Sequence, residues 1–562
     1  MRSSLIGASV LLLSGCGTCP PAEPGPPETL FYNGHIYLGA PEWKQVDALL
    51  VRDDRVVAAG TEEEVKHASK RQFVNHVDLD GGWAVPGLQD AHGHVEGYGA
   101  SLENVDLRGV ASFDEVVARV KSTAAKLTAG TWIQGRGWDQ NLWPDKSFPN
   151  HAALSAAVPN HPVCLSRIDG HAVLVNQRAL ELAHLDGVAA SEDIVPGGRM
   201  LLDGDHKPTG VFVDNGADLF APVIPEPDDA TLERRLLLAQ EHLLALGITA
   251  VHDMGVGPKT LGAMERVREH GRLKMRLIEY LSDAGDASEA TWSAGRIASD
   301  ARDLLSVVGV KLYADGALGS RGAALLEPYS DDPKNVGLLV TSTETLAARI
   351  AVAAKLGLQP AVHAIGDRAN RGVLDAYEAQ MKLDPNFAAL RPRIEHAQVV
   401  APADWPRFAA LGVIPSMQPT HATSDMRWAV DRLGPERTKG AYAWRRLAPD
   451  LSTLAFGSDF PVEKPDPLEG VYAALTRQDA NGWPDGGFTP DQKLDAREAL
   501  AAFTLGAARA ARQEDRRGRL APGYCADMTV LDVDPLHCEP RALLGEHVRM
   551  TVVNGEIAYR AK

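Results

Sequence analysis

Apolar positions along this chain follow two rhythms. Near the start, short runs alternate apolar with polar residues: LFYNGHIYL from Leu30, VDALLVRDDRVVAAG from Val46 with a polar turn at Asp53-Asp54, and FVNHVDLDG from Phe73. They read as small antiparallel strands. The C-terminal end returns to this rhythm in DMTVLDVDP and VRMTVVNGEIAYR, the second divided by the hairpin dipeptide Asn554-Gly555. The pattern predicts one β-rich domain assembled from both ends, residues 29–84 and 512–562. Between them, Ala- and Leu-rich helical stretches alternate with short apolar runs. ATLERRLLLAQEHLLALG precedes ITAVHDM, TLAARIAVAAKLG precedes QPAVHAIG, and a glycine stands where each helix needs a C-terminal cap. Helix-then-strand units across residues 85–511 predict an α/β fold with a parallel sheet, open or closed into a barrel. A Pro-, Gly- and Asp-rich region at about 145–215 (VPGGRMLLDGDHKPTG) interrupts the rhythm and is expected to be an insertion near the barrel mouth.

The first residues follow neither rhythm. After Met1-Arg2, the apolar run Leu5 to Leu13 has the length of a signal-peptide core and is too short to span a bilayer. It ends in Leu13-Ser14-Gly15-Cys16, which resembles the lipobox of bacterial lipoproteins and would make Cys16 an acylated membrane anchor after removal of residues 1–15; an ordinary cleavable signal is the alternative. The proline-rich stretch that follows, within residues 16–28, suits an extended tether. Gly17 is not the Asp of an inner-membrane retention signal, so the expectation is a lipid-anchored envelope protein at the outer membrane or periplasmic face. No later stretch approaches 18 uninterrupted apolar residues.

Composition narrows the function classes. With 45% hydrophobic and 23% charged residues, the chain is not a disordered tail protein. A formal net charge of -17 repels phosphate backbones, which excludes nucleic acid as the expected partner. Five cysteines are too few for a disulfide scaffold, and no paired CxxC spacing is present; whether Cys525 and Cys538 pair stays open. Metal chemistry would have to use His and carboxylates.

Position makes such chemistry credible. His92-Gly93-His94 ends a strand-like approach, and period-two geometry puts both imidazoles on one side. Lys311 in VVGVKLYADG, His363 in LQPAVHAIGD, His396 in PRIEHAQVV and Asp459 in STLAFGSDFPV each stand at the exit of an apolar run of strand length. Any one alone reads as a core polar residue with a local hydrogen bond. A parallel barrel, however, gathers the C-terminal ends of all its strands at one mouth. Imidazoles plus a carboxylate suit zinc or a similar cation, one or two ions. A buried Lys311 facing a cation must lose its charge, by carbamylation with CO2, or else point elsewhere and pair with Asp315 or Asp253.

The ordered motifs PGLQDAHGH, GRGWDQNLWP, DGHAVLVNQRAL, KLYADGALGSR, HAIGDRAN, PRIEHAQ, SMQPTHATSDM, FGSDFPVEKPDPLEGVYAALTR and ADMTVLDVDP resemble the amidohydrolase superfamily, in the YtcJ-like amidohydrolase 3 group that includes N-substituted formamide deformylase. The resemblance covers about residues 30 to 560. It implies a distorted TIM (β/α)8 barrel with a β-sandwich built from both termini. It also implies a metal site of His92, His94, His363, His396 and Asp459, with Lys311 where some members carry a bridging carbamylated lysine.

The expected chemistry is hydrolysis of a non-peptide C–N bond in an N-substituted amide or formamide by metal-activated water, with Asp459 as general base and then acid. His363 or His252 would hold the developing oxyanion, His252 being the more structural of the two. Substrate contacts are expected from Trp138, Asp139, Trp143, His171, Arg321, Gln418 and His421, each with a packing role as the alternative. Expected partners are a small-molecule substrate, a membrane reached through Cys16 and, left open, a second copy of the chain. Lactone or ester hydrolysis on the same site, and a non-catalytic solute-binding lipoprotein, are the competing readings.

Overall fold

The computed structural model describes residues 28–69, 74–168, 170, 172–186, 193–195, 198–214, 216–297 and 302–562. The expected signal segment, Cys16 and most of the tether lie outside the described residues, as does His171.

Eight parallel strands form the central sheet in chain order: Leu88–Gly93, Ile248–Val256, Arg276–Leu281, Leu305–Tyr313, Gln359–Ala364, Arg393–His396, Ile414–Met417 and Ala455–Phe456. Every residue of the first strand is buried, as both faces of a helix-covered parallel sheet must be. The sheet closes where the backbone passes beyond its last strand. Gly93 bridges to Phe460, the Asp459 N–H donates to the His92 carbonyl at 2.7 Å, and the His94 N–H donates to the Phe460 carbonyl at 2.9 Å. The outer helices form for ordinary local reasons. In Asp229–Ala245, the Asp228 side chain caps the Thr231 N–H, and Leu232, Leu236, Ala239 and Leu243 make the buried stripe. Gly247 ends this unit at φ +83°, where a Cβ would stand 2.5 Å from the Thr529 methyl, so only glycine lets the barrel approach the terminal domain here.

That terminal domain is a sandwich. A four-stranded sheet (Glu28–Tyr32, Ala48–Arg52, Arg55–Gly60, Val74–Asp78) faces a six-stranded one (His35–Tyr37, Gln45–Val46, Trp83–Pro86, Met528–Leu531, Val548–Val553, Glu556–Arg560). Phe31, Leu49 and Val56 of the first share a core with Ala84, Met528, Val530 and Val552 of the second. The two ends of the chain meet where Trp83–Pro86 pairs antiparallel with Met528–Leu531. Cys525 and Cys538 are free thiols.

The interruption in the barrel rhythm is larger than the proline and glycine content suggests. A seven-stranded sheet runs from Val105–Asp106 through Ile133–Trp138 and Val163–Arg167 to Pro208–Asp214 and Asp193–Val195, so the inserted unit begins at Val105 rather than at about 145. Its first part consists of a regular helix, Phe113–Ala124, and a regular strand, Ile133–Trp138. Their pattern is indistinguishable from that of a barrel unit.

Candidate metal centre

The polar residues at the strand exits converge. Oriented ligand atoms of His92, His396 and Asp459 lie within 4.8 Å of one another. The His92 and His396 ring centroids are 4.8 Å apart, and those of His363 and His396 are 4.6 Å apart. His94 Nε2 stands 3.1 Å from Asp459 Oδ1, and His92 Nε2 stands 3.5 Å from the same oxygen.

Each imidazole is turned by an acceptor behind it. His92 Nδ1 donates to Glu395 Oε2 at 2.6 Å, His94 Nδ1 to the Met254 carbonyl at 2.8 Å, and His396 Nδ1 to Gln418 Oε1 at 2.8 Å. With the ring proton committed outward, a neutral imidazole presents its Nε2 lone pair inward. Lone pairs of His92 and His396 therefore face inward, and His94 Nε2 lies within hydrogen-bond distance of the Asp459 carboxylate. The half-buried His363 packs its ring near His396, and its Nε2, 3.7 Å from Asp315 Oδ1, has no hydrogen-bond partner among the described residues. Such an arrangement fits a divalent cation, and acceptors behind ligating histidines are its usual accompaniment. His92, His396 and Asp459 would hold it.

Electrostatics agree with neutral rings and a charged carboxylate. Burial, followed by the Lys311 charge, pushes His92 down to about 4 and His363 down to about 3. Burial also takes His396 well below the ordinary histidine value. For Asp459, burial acts upward, but the His94 hydrogen bond and the surrounding histidines hold it well below the usual carboxylate range. His396 and Asp459 both sit at positive φ, 71° and 60°, a conformation uncommon for non-glycine residues and typical of strained functional sites.

Lys311 is buried with Nζ 3.1 Å from His92 Nε2, and burial pushes its pKa down to about 8. It is paired with neither alternative aspartate. Asp315 accepts the backbone N–H groups of Ala324, Ile365 and Gly366, and Asp253 accepts that of Val95.

The remaining sequence expectations divide. Gln418 lies behind His396, and His421 Nε2 lies 3.7 Å from Asp459 Oδ2 with its ring stacked toward His396, so both belong to the cluster's surroundings. Trp138 is core instead: it is fully buried in the inserted unit and its indole N–H donates to the Leu165 carbonyl. Trp143 packs beside it. Asp139 caps the Asn141 N–H and pairs with Arg167, and Arg321 is engaged by Asp331. His252 Nδ1 accepts from Arg393 Nη1 at 2.7 Å inside the barrel, and its Nε2 has no hydrogen-bond partner among the described residues.

Sequence reasoning missed Glu395 and its partner. Arg393 is wholly buried and donates to both Glu395 oxygens, to Ser416 Oγ and to the Ala91 carbonyl. The signal was present in PRIEH, where two opposite charges stand two apart in an otherwise buried strand.

Comparison with known proteins places this geometry. The family model described as "Amidohydrolase family" matches residues 75–559. The chain is 31% identical over 543 residues to the "Putative amidohydrolase YtcJ" of Bacillus subtilis, covering 95% of this chain and 99% of that protein. It is 28% identical over 539 residues to the "N-substituted formamide deformylase" of Arthrobacter pascens, covering 91% and 94% respectively. Among solved structures, an uncharacterized metal-dependent hydrolase from Pyrococcus horikoshii OT3 superposes with a TM-score of 0.76 at 33% identity, over 91% of this chain and 99% of that one. The chain belongs to the amidohydrolase family, in its YtcJ-like branch.

Proposed function

We propose that this protein is a metal-dependent hydrolase that cleaves a non-peptide C–N bond in an N-substituted amide or formamide. The observation that carries the reading is the set of inward-facing imidazole lone pairs around the Asp459 carboxylate, each ring oriented by an acceptor behind it. A divalent cation held there, most simply zinc given the nitrogen-rich donor set, supplies a water of lowered pKa and an electrophile for the carbonyl. Asp459, ionised and pointed into the cluster, takes the water's proton and later returns it to the departing nitrogen, because an amine leaves only when protonated. Lys311 is in place for a carbamate: burial favours its neutral amine, the form that reacts with CO2, and the product would replace a repelled ammonium with an anion. The similarity to a named formamide deformylase supports the C–N bond over a lactone or ester, which the same apparatus could also hydrolyse. We further place the chain in the cell envelope, anchored through Cys16; loss of labelled-palmitate incorporation in Cys16→Ser would test this.

The test of function is metal analysis of the purified protein followed by assays on N-formyl amines, N-acyl amino acids, lactones and esters. Expected are at least one bound divalent ion and turnover confined to the C–N substrates. Metal below about half an equivalent after reconstitution, or turnover of esters alone, would overturn the reading.

A further inference from the structure

Beside His363 and His252, the barrel mouth offers another donor for a substrate oxygen. Tyr313 is the last residue of the strand that carries Lys311. Two residues farther along, it projects to the same side and stands one step nearer the mouth. The register pairs it with His363, and the two ring centroids are 5.6 Å apart. Lys311 Nζ lies 5.2 Å from the centre of its ring. Gly255, at φ +87° in an irregular stretch of the neighbouring pairing, lies beside the phenol: a Cβ there would be in ordinary contact with the Tyr313 hydroxyl at 3.6 Å.

Two features separate Tyr313 from the structural tyrosines of the barrel. It is 42% exposed at the end of an inward-facing line, so part of it borders open space beside the cluster. Its hydroxyl has no hydrogen-bond partner among the described residues, whereas Tyr280, Tyr329, Tyr377 and Tyr442 all spend theirs on protein groups. A phenol keeps its proton at neutral pH, so this hydroxyl has a hydrogen bond to donate.

We propose that the Tyr313 hydroxyl donates a hydrogen bond to the substrate's carbonyl oxygen and holds that oxygen as it gains negative charge. The inference rests on the hydrolase reading above. No proton leaves the phenol: the bond strengthens as the oxygen becomes an anion and relaxes when the carbonyl re-forms, which is how an oxyanion donor lowers a barrier.

The test compares the zinc-reconstituted full chain with Tyr313→Phe in two ways. Calorimetric titration with methylphosphonate, a tetrahedral oxyanion probe, should show binding about 10- to 100-fold weaker in the variant at unchanged metal content. On whichever N-formyl amine the parent hydrolyses, kcat should fall by a similar factor while KM moves less than about threefold. Equal methylphosphonate affinity in the two proteins, or no binding by the parent, would overturn the assignment. So would a kcat within about twofold of the parent. A parent that binds methylphosphonate in a Tyr313-dependent way yet hydrolyses none of the panel would sink the hydrolase reading while leaving the donor in place.

Discussion

The Asp90 carboxylate latches the barrel to Ser458: it accepts the Ser458 hydroxyl at 2.6 Å and its backbone N–H at 3.1 Å, while also accepting the His92 N–H at 3.0 Å. The latch stands at the seam between the first strand and the turn after the last. Gly457 belongs to the same seam, since a Cβ there would lie 2.4 Å from the His92 nitrogen. The candidate ligands His92 and Asp459 are thus next-door neighbours of the residues that close the ring. Asp90→Ala leaves several buried donors without an acceptor, so a loss of about 2–4 kcal/mol is expected. Bound metal should fall with it. Thermal denaturation with parallel metal analysis checks both, and an unchanged midpoint would show that the seam does not need the latch.

Glu395 meets the site through His92, at 2.6 Å from its Nδ1. Its pKa is lowered even though burial acts upward, because the Arg393 guanidinium overcomes the burial effect. Glu395→Gln keeps the shape but removes the charge that fixes the His92 proton outward. Metal affinity should weaken by about 10- to 100-fold with the fold retained. Competition against a chromophoric chelator measures this directly, and equal affinity in the two proteins would assign Glu395 to packing alone.

Asp459→Asn removes the proton carrier of the proposed reaction while preserving size. A drop in kcat of about 10²- to 10⁴-fold is expected, with circular dichroism unchanged and some metal retained. Turnover near the parent's would rule Asp459 out as the base. Retained affinity for a ligand that neither protein turns over would favour a binding lipoprotein.

The residues that could be read from the sequence share a physical property, as do those that could not. Lys311, His363, His396 and Asp459 stand out because a polar group at the exit of an apolar run contradicts its surroundings, and a parallel sheet brings all such exits together. The sandwich was legible from period-two alternation at both ends. The start of the inserted unit at Val105 was not, because its helix and strand carry the same periodicities as the barrel units around them. Trp138 misled for a related reason. An indole in a Gly- and Pro-rich stretch looks like a lid, yet this one satisfies its N–H on Leu165 within a core that only the tertiary fold defines. Glu395 escaped notice because its role depends on His92, 303 positions away in the chain.

The barrel is held to the sandwich by a buried ion pair, and its pH dependence follows from its geometry. Arg276 donates through Nε and Nη2 to the two oxygens of Asp527 at 2.6 and 2.8 Å, and its Nη1 donates to the carbonyls of Arg302 and Asp303. Burial would raise the Asp527 pKa, but the Arg276 charge and hydrogen bonds lower it overall. A carboxylate depressed in the folded state contributes stability that is present above its unfolded value of about 3.9 and disappears as pH falls through the folded value. Asp527→Asn strands the Arg276 charge and should cost about 3–5 kcal/mol at pH 7. As the pH falls from about 4 toward the lower folded value, the unfolded parent takes up a proton that the folded parent does not, so the gap between parent and variant should narrow. Urea denaturation of both proteins at pH 7 and at successively lower pH measures that gap. A difference that stays constant down to the pH at which the parent unfolds would mean that the two domains are held together by their apolar contact and not by this pair.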